Sequence, residues 1–296
     1  MLGECLESLE RQTLPPAETI VVDAGSTDGS AEQARRGGAR VIATENRGIG
    51  HLYNVGARAA VGEFVLFANN DVALEESCLE CLAAALAGHD GRFAADPRQR
   101  DWADTHDIHA RSTLVRAPLL RMPLPGFDLD QTIPADDVTP TLMANGALFL
   151  VSRQRFLDLG GFDESFFMEW EDTDLSWRAW ARGWEIVYVP QAVARHRVGA
   201  VTSASVVPRR LRSSHHNLLR FALKCFPPSQ AARVVAGELL RLPVHPTLIA
   251  PALGRVAVEL PEIVRARRGL GPRRALFDRL YGPEPPGAAE LVPQPR

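Results

Sequence analysis

Four carboxylates, Glu169, Glu171, Asp172 and Asp174, fall within six residues of the stretch FFMEWEDTDLSWRAWARGWEIVYV, which runs from Phe166 to Val189. Like charges this close repel unless a cation, a helix end or a reaction uses them. A helix starting near Thr173, with Asp172 or Thr173 as its N-cap and Gly183 just past its end, turns its positive dipole end towards Asp172 and keeps that acid ionised. An ionised carboxylate at the mouth of a site can act as a general base. Trp170, Trp177, Trp180 and Trp184 surround the stretch with flat apolar surfaces of the kind that stack on sugar rings. The alternative is a capped amphipathic helix with a solvated acidic start.

Three further motifs carry chemistry. VVDAGSTDGS (21–30) puts Asp23 at a strand end, followed by a turn through Gly25 and Ser26 into a helix, whose free N–H groups suit a nucleotide or phosphate. An ordinary strand–turn–helix joint needs the same residues. FVLFANNDV (64–72) puts Asn70 and Asp71 just past a buried strand. A carboxylate there can hold one side of Mg²⁺ or Mn²⁺ while substrate phosphates hold the other, or it can cap the next helix. VARHRVGAVTS (193–203) puts His196 after a short apolar run, where a histidine is a metal ligand or simply a polar residue near a core. The pair Cys78 and Cys81 lacks the second pair that a zinc site needs and fits core packing on one helix face. The run DWADTHDIH (101–109), with His106 and His109, reads as a solvated acceptor-side loop or, less simply, a metal site.

These residues need elements to carry them. Apolar runs at 18–23, 39–44 and 63–68 read as buried strands, separated by amphipathic helices that Gly37-Gly38 and Gly62 close, with a third helix at 74–86. Strands alternating with helices predict βαβ units and a parallel sheet, which binds ligands at the carboxyl ends of its strands. The segment 87–140, polar and rich in Pro, Asp and Arg, reads as a variable acceptor-side insertion. Strands return at 145–152 and 185–189, with helices at 153–159 and up to Ala181. The expected organisation is a catalytic domain over 1–207, a helical region over 208–282 broken by prolines, and a disordered tail over 283–296.

Composition narrows the classes. At 46% hydrophobic and 23% charged, the 296 residues suit a soluble globular protein. No stretch is long and apolar enough for a membrane span, no signal peptide opens the sequence, and four cysteines suggest no disulfide scaffold, so a cytoplasmic location is expected. The net charge of −3 conceals −12 on residues 1–208 and +9 on 209–296. In RRLRSSHHNLLRFALKCF (209–226), Leu211, Leu218, Leu219, Ala222 and Phe226 fall along one helix side, with Arg209, Arg212 and Arg220 towards its flanks. That side either rests peripherally on the inner face of an anionic membrane or packs on the acidic body. An acidic body without a nucleic-acid motif excludes duplex binding.

Taken together and in order, the motifs resemble the inverting family-2 glycosyltransferases with a GT-A fold, particularly the rhamnosyltransferase-like branch. LGECLESLERQTLPPAETIVVDAGSTDGS is similar to that family's opening helix, second strand and nucleotide loop. ATENRGIGHLYNVGARAAVGEFVLFANNDV is similar to its N-R-G to N-x-D block, and residues 145–203 to its GGFDE, ED-x-DL and later histidine segment. The resemblance implies a Rossmann-like, mostly parallel sheet with flanking helices, and transfer of a sugar from a nucleotide-sugar donor to a glycan or lipid-linked acceptor. It implies Asp172 as base, with Glu171 shaping the site beside it. Asp23 would contact the nucleobase, with Gly25, Ser26, Asn46, Arg47, Gly48, Asn54 and Asn70 around the nucleotide. Asn145, Gly146, Trp170 and Arg178 would lie near donor or acceptor sugar, Arg178 and Asp174 also orienting the helix. Asp71 and His196 would hold Mg²⁺ or Mn²⁺. The family's first buried strand and its Pro-Thr-Tyr-Asn-like turn are missing ahead of the helix at Leu2. Rival classes are a sugar nucleotidyltransferase, disfavoured because Lys224 is the only lysine available for a triphosphate, and a degenerate nucleotide-sugar binder without turnover.

Overall fold

In the computed structural model, residues 1–116, 127–198, 207–270 and Leu276 are described. The disordered tail expected over 283–296, and Arg209 as a flanking side chain, lie outside the described residues. The chain opens with α1 (Leu2–Glu10), β1 (Ile20–Asp23), α2 (Ser30–Arg36), β2 (Arg40–Ala43), α3 (Ile49–Ala59), β3 (Phe64–Ala68), β4 (Val72–Leu74) and α4 (Cys78–Leu86). Then come β5 (Arg92–Asp101), β6 (Asp107–His109), β7 (Arg111–Arg116), β8 (Phe127–Ile133), β9 (Thr139–Pro140), β10 (Leu148–Ser152) and α5 (Arg153–Asp158). The chain continues through α6 (Glu171–Ala181), β11 (Glu185–His196), α7 (Val207–Cys225), α8 (Pro228–Arg241) and α9 (Pro246–Arg268).

Seven strands form one sheet along the path β3-β10-β5-β11-β4, with β6 on β5 and β9 on β11. Its strands are mixed in direction, not mostly parallel. Only β5 and β11 pair in parallel, whereas β3–β10, β10–β5 and β4–β11 are antiparallel. The early βαβ pattern does give a parallel pair, β1–β2, but these two strands form their own sheet. Among the described residues no strand joins β1 to β3. Both are therefore edges, and their apolar Ile20, Val21, Val22, Val65 and Leu66 are only half-buried.

The segment 87–140 is the largest departure from the expected loop. It contributes β5, whose Phe93, Ala94 and Ala95 are fully buried at the centre of the sheet. Its second half reads as polar because Asp96 and Gln99 also face inward, both at 0% exposure. An interior carboxylate survives only when hydrogen-bonded or paired, and Asp96 is both.

The core on one side of the sheet is aromatic. Phe67 lies 5.0 Å from both Phe149 and Phe156, and Phe162 lies 5.6 Å from both Phe67 and Phe156, centroid to centroid. Trp177 and Trp180 are 2% and 4% exposed within this core. Trp177 meets Phe226 at 5.4 Å, Trp184 stacks on Phe93 at 6.0 Å, and Trp180 donates its indole N–H to the Leu142 carbonyl at 2.9 Å. These tryptophans are packing residues rather than sugar platforms.

Helix α7 closes the same core. Leu218, Leu219, Ala222 and Phe226, expected on a single apolar side, are buried, and Leu211 alone of that set is exposed. The side that could have met a membrane faces the protein. Arg220 does not snorkel: at 1% exposure it bonds Glu259 at 2.9 Å and Glu262 at 2.6 Å. Lys224 bridges Asp163 and Asp174, both at 2.7 Å. The basic charge of this region thus answers acids of α9, of the 161–165 loop and of α6. Among the described residues, no helix is long and apolar enough to cross a membrane.

Candidate active site

Each of the four clustered carboxylates has a different environment, which resolves their repulsion. Glu169 pairs with Arg210 of α7. Asp174, fully buried, takes Arg178 Nε and Lys224 Nζ, both at 2.7 Å. Glu171 is 8% exposed, and burial together with the charge of Asp172 holds its carboxyl well above the usual range. Its Oε2 is buried and has no hydrogen-bond partner. Asp172 stays partly exposed. Its Oδ2 accepts the Gly146 N–H at 2.9 Å, and its Oδ1 accepts the Thr173 N–H at 2.6 Å and the Thr173 hydroxyl at 3.2 Å. Burial raises its pKa, while these donors and the charge of His109 pull the other way. A partly exposed carboxylate oriented by three donors can accept the proton of a hydroxyl brought to it.

Helix α6 begins at Glu171, two residues earlier than expected. Trp170 is its N-cap residue, no side chain caps it, and Glu169 and Trp170 both lie in the left-handed region at φ 65° and 70°. Non-glycine residues there store roughly 1–3 kcal/mol each. Asn217 of α7 holds this entry by donating to the Met168 carbonyl at 2.7 Å and the Glu169 carbonyl at 2.9 Å. Trp170 packs on Phe221 at 5.4 Å. Arg178 is likewise committed to structure: besides Asp174 it donates to the Leu159 and Gly161 carbonyls at 3.2 and 2.8 Å. Arg178 is thus taken up by structural contacts, whereas Trp170 is half-buried and keeps part of its surface open.

The turn 145–147 joins the two halves of the site. Asn145 N–H donates to Asp96 at 2.9 Å, and Gly146 N–H to Asp172. The Gly146 carbonyl accepts the Tyr53 hydroxyl at 3.1 Å, and the Ala147 carbonyl accepts the Asn69 N–H at 2.8 Å. A side chain at 146 would press on Asp172, since a Cβ there would lie 3.2 Å from Oδ2. Asn69 precedes Asn70, which is exposed, and Asp71, which is 8% exposed.

Sheet register brings Asp71 to His196. Antiparallel pairing opposes His196 to Val72, and His196 Nε2 comes to 3.4 Å from Asp71 Oδ1. That oxygen is buried and has no hydrogen-bond partner. An orphaned carboxylate oxygen beside an imidazole fits a divalent cation completed by phosphate oxygens. Among the described residues no cluster of three or more His, Cys, Asp or Glu could hold a metal on its own.

The nucleotide-side residues lie on more open loops. Asp23, at the end of β1, accepts the Ser26 N–H at 3.3 Å, and Gly25, at φ 88°, makes the turn between them. Asn46 and Arg47 are exposed; Asn46 accepts the Gly48 N–H at 3.3 Å, and Arg47 lies 3.4 Å from Glu164. Gly48, at φ 102°, passes so close to Phe167 that a Cβ would fall 2.3 Å from its carbonyl oxygen. Asn54 points elsewhere. It is 3% exposed, its amide bonding Phe162 N–H at 2.8 Å, Phe162 carbonyl at 3.0 Å and Glu164 at 3.0 Å, so it clamps the 161–164 loop. The residues missed from the sequence are Tyr53, Asn69, Asp96 and His109; only His109 drew notice, and as part of a solvated loop.

The chain matches the family model described as "Glycosyl transferase family 2" over residues 1–148, half its length. It is 29% identical over 240 residues to the N-acetylglucosaminyl-diphospho-decaprenol L-rhamnosyltransferase of Mycobacterium tuberculosis, covering 73% of this chain and 77% of that protein. A shorter match, 34% over 87 residues, is to glycosyltransferase GlyG of Streptococcus pneumoniae, covering 27% of this chain and 29% of that one. Among solved structures, the mannosyltransferase PcManGT of Pyrobaculum calidifontis, in complex with GDP-Man and Mn²⁺, superposes with a TM-score of 0.54 at 19% identity, over 94% of this chain and 74% of that one. GalNAc-T7, with UDP, GalNAc and Mn²⁺, gives 0.53 at 17% identity, over 74% of this chain and 46% of that one.

Proposed function

We propose, from the premise that this chain belongs to glycosyl transferase family 2 and is a glycosyltransferase of the GT-A fold, that it moves a sugar from a nucleoside-diphosphate donor to an acceptor hydroxyl with inversion. The observation that carries the reading is the 145–147 turn. One turn holds Asp172 through Gly146 and, through Ala147, the strand end that bears Asp71. A base and a candidate diphosphate site are thereby held in one frame.

Asp172 takes the proton of the acceptor hydroxyl as its oxygen attacks the anomeric carbon. The bond from that carbon to the diphosphate oxygen breaks on the opposite face, and the nucleoside diphosphate leaves with the electron pair. Glu171 beside it is buried, whereas Asp172 is partly exposed and is the acid of the pair that an acceptor hydroxyl can reach. Asp71 and His196 would hold Mg²⁺ or Mn²⁺, which when bound supplies positive charge to the departing diphosphate. Asp23, Gly25, Ser26, Asn46, Arg47, Gly48 and Asn70 are proposed to bound the nucleotide, with Asn145 and Gly146 on the sugar side.

The mycobacterial relative supports a dTDP-rhamnose-like or other nucleotide-sugar donor and a lipid-diphosphate glycan acceptor, in cell-envelope polysaccharide or glycolipid synthesis. The proposed location is cytoplasmic, with such an acceptor met at the inner face of the plasma membrane. Catalytic domain 1–207 and helical region 208–282 are proposed to act as one unit through the Lys224–Asp174 contact. The test is transfer from dTDP-rhamnose, with UDP-sugars in parallel, to a polyprenyl-diphosphate N-acetylglucosamine acceptor, followed by NMR of the product's anomeric centre. Inverted configuration is expected; retained configuration overturns the mechanism. A second reading, nucleotide-sugar binding without turnover, draws on the separation of the β1–β2 sheet from β3. Nucleoside diphosphate binding with no product in any arm of that assay favours it.

A further inference from the structure

A buried histidine–carboxylate pair stands behind the proposed base. His109 on β6 is 2% exposed and Asp96 on β5 is 0% exposed, and His109 Nε2 lies 2.6 Å from Asp96 Oδ2. The other Asp96 oxygen accepts the Asn145 N–H, the residue before the glycine that holds Asp172. On its far side, His109 Nδ1 faces Gln131 Oε1 at 3.3 Å and the Asn145 side-chain amide at 3.4 Å. Nε2 faces the Asp96 carboxylate and Nδ1 faces Gln131 Oε1, so a proton on each nitrogen serves both acceptors, at the expense of the longer contact with the Asn145 amide donor. Burying such a pair is costly, and it is tolerated only when both partners are fully hydrogen-bonded.

We propose that Asp96 and His109 form a positioning pair for Asp172: Asp96 fixes the 145–146 turn that orients its carboxylate, and the His109 imidazolium supplies fixed positive charge behind it. The inference rests on the reading of Asp172 as the base. Burial opposes the charge on His109, but Asp96, Gln131 and Asp172 together hold its pKa above the ordinary imidazole value. The charge of His109 in turn favours the ionised form of Asp172. The other titratable groups facing the two are Glu171 beside Asp172, Tyr53 of α3, which feels both acids, and Tyr188 of β11, which feels Asp96. Burial pushes the carboxyls of Glu171 and Asp96 and both tyrosines upward, and none of these four can carry positive charge, so His109 is the one group of the set that can.

The sign follows directly. Removing a cation beside a carboxylate raises its pKa, so the acid limb of kcat moves to higher pH. His109→Gln keeps a donor for Asp96 and removes the charge. At saturating donor, kcat should fall and its acid limb should shift up by about one pH unit, with the donor KM held. Asp96→Asn, which deprives His109 of its counter-ion, should move the limb the same way. A purely structural role would lower kcat and the melting temperature without moving the limb, and an unmoved limb in both variants overturns the proposal. On the unmodified protein, ¹⁵N NMR of the imidazole should find both nitrogens of His109 protonated at pH 7; a neutral ring overturns it even if neither variant folds. Asp172→Asn run alongside separates the two levels: full turnover in that variant refutes the base itself, whereas lost turnover with an unmoved limb in His109→Gln refutes only the pair.

Discussion

The nucleotide side and the base side of this site are built by opposite means. Around Asp23, Asn46 and Arg47 the chain runs in exposed loops above a two-stranded sheet whose apolar residues are only half-buried. Around Asp172 the backbone is fixed by buried and half-buried groups from four elements: Asp96, His109, Tyr53, and from α7 both Asn217 and, through Asp174, Lys224. A loop that admits a ligand needs little stability of its own, whereas a base must be held within a fraction of an ångström. Substitutions on the base side should therefore cost stability and turnover together, and those of exposed nucleotide-side side chains such as Arg47 should cost binding alone.

The largest effect is expected where a buried network loses its central cation. Lys224→Met leaves Asp174, at 0% side-chain exposure, with Arg178 alone and Asp163, at 19%, with Arg220 alone, and should lower unfolding free energy by about 3–5 kcal/mol. Thermal and urea unfolding measure this; a loss below about 1 kcal/mol would mean the network carries no stability. Acid should weaken the same network. Burial acts against ionised Asp163, but Lys224 and Arg220 overcome it and hold its pKa well below the carboxylate range. Its stabilisation is present above its unfolded pKa of about 4 and is lost as pH falls through the acid range below that. Urea midpoints between pH 6 and pH 3 should drop more steeply in the unmodified protein than in Asp163→Asn.

Gly48→Ala should come next. It sets a Cβ 2.3 Å from the Phe167 carbonyl at a positive φ, at a cost of roughly 1–3 kcal/mol, measurable as a lowered melting temperature. A neutral result would show that the loop relaxes freely. Arg47→Ala should be smallest for stability, within about 0.5 kcal/mol because the side chain is exposed, while the donor KM rises severalfold. A raised KM with unchanged stability supports the contrast between the two sides; an unchanged KM removes Arg47 from the nucleotide site.

How far the sequence can be read follows the same division. The strand–helix alternation through residue 86, the strands at 148–152 and 185–189 and the helix carrying the acidic cluster were all legible, because their apolar periodicity reports one buried face. Strand β5 was not. Its inward Asp96 and Gln99, its Pro97 and its arginines give the composition of a loop, and the partner that makes Asp96 tolerable, His109, is 13 residues away. The mixed strand direction was hidden for the same reason, since β5 and β10 set it. Asp71 and His196 were legible as separate strand-end residues, and only the β4–β11 register brings them to 3.4 Å. The four tryptophans look alike in the sequence, and only the fold separates Trp177 and Trp180, packed into the core, from the half-buried Trp170 and Trp184.

The central claim is that Asp172 accepts the proton of the acceptor hydroxyl. It is tested most directly by Asp172→Asn, which keeps the shape and the Gly146 contact, with kcat and nucleoside diphosphate affinity measured on the same preparation. A fall in kcat of about 10² or more with affinity unchanged is expected. Turnover within a few-fold of the unmodified protein would place the base elsewhere.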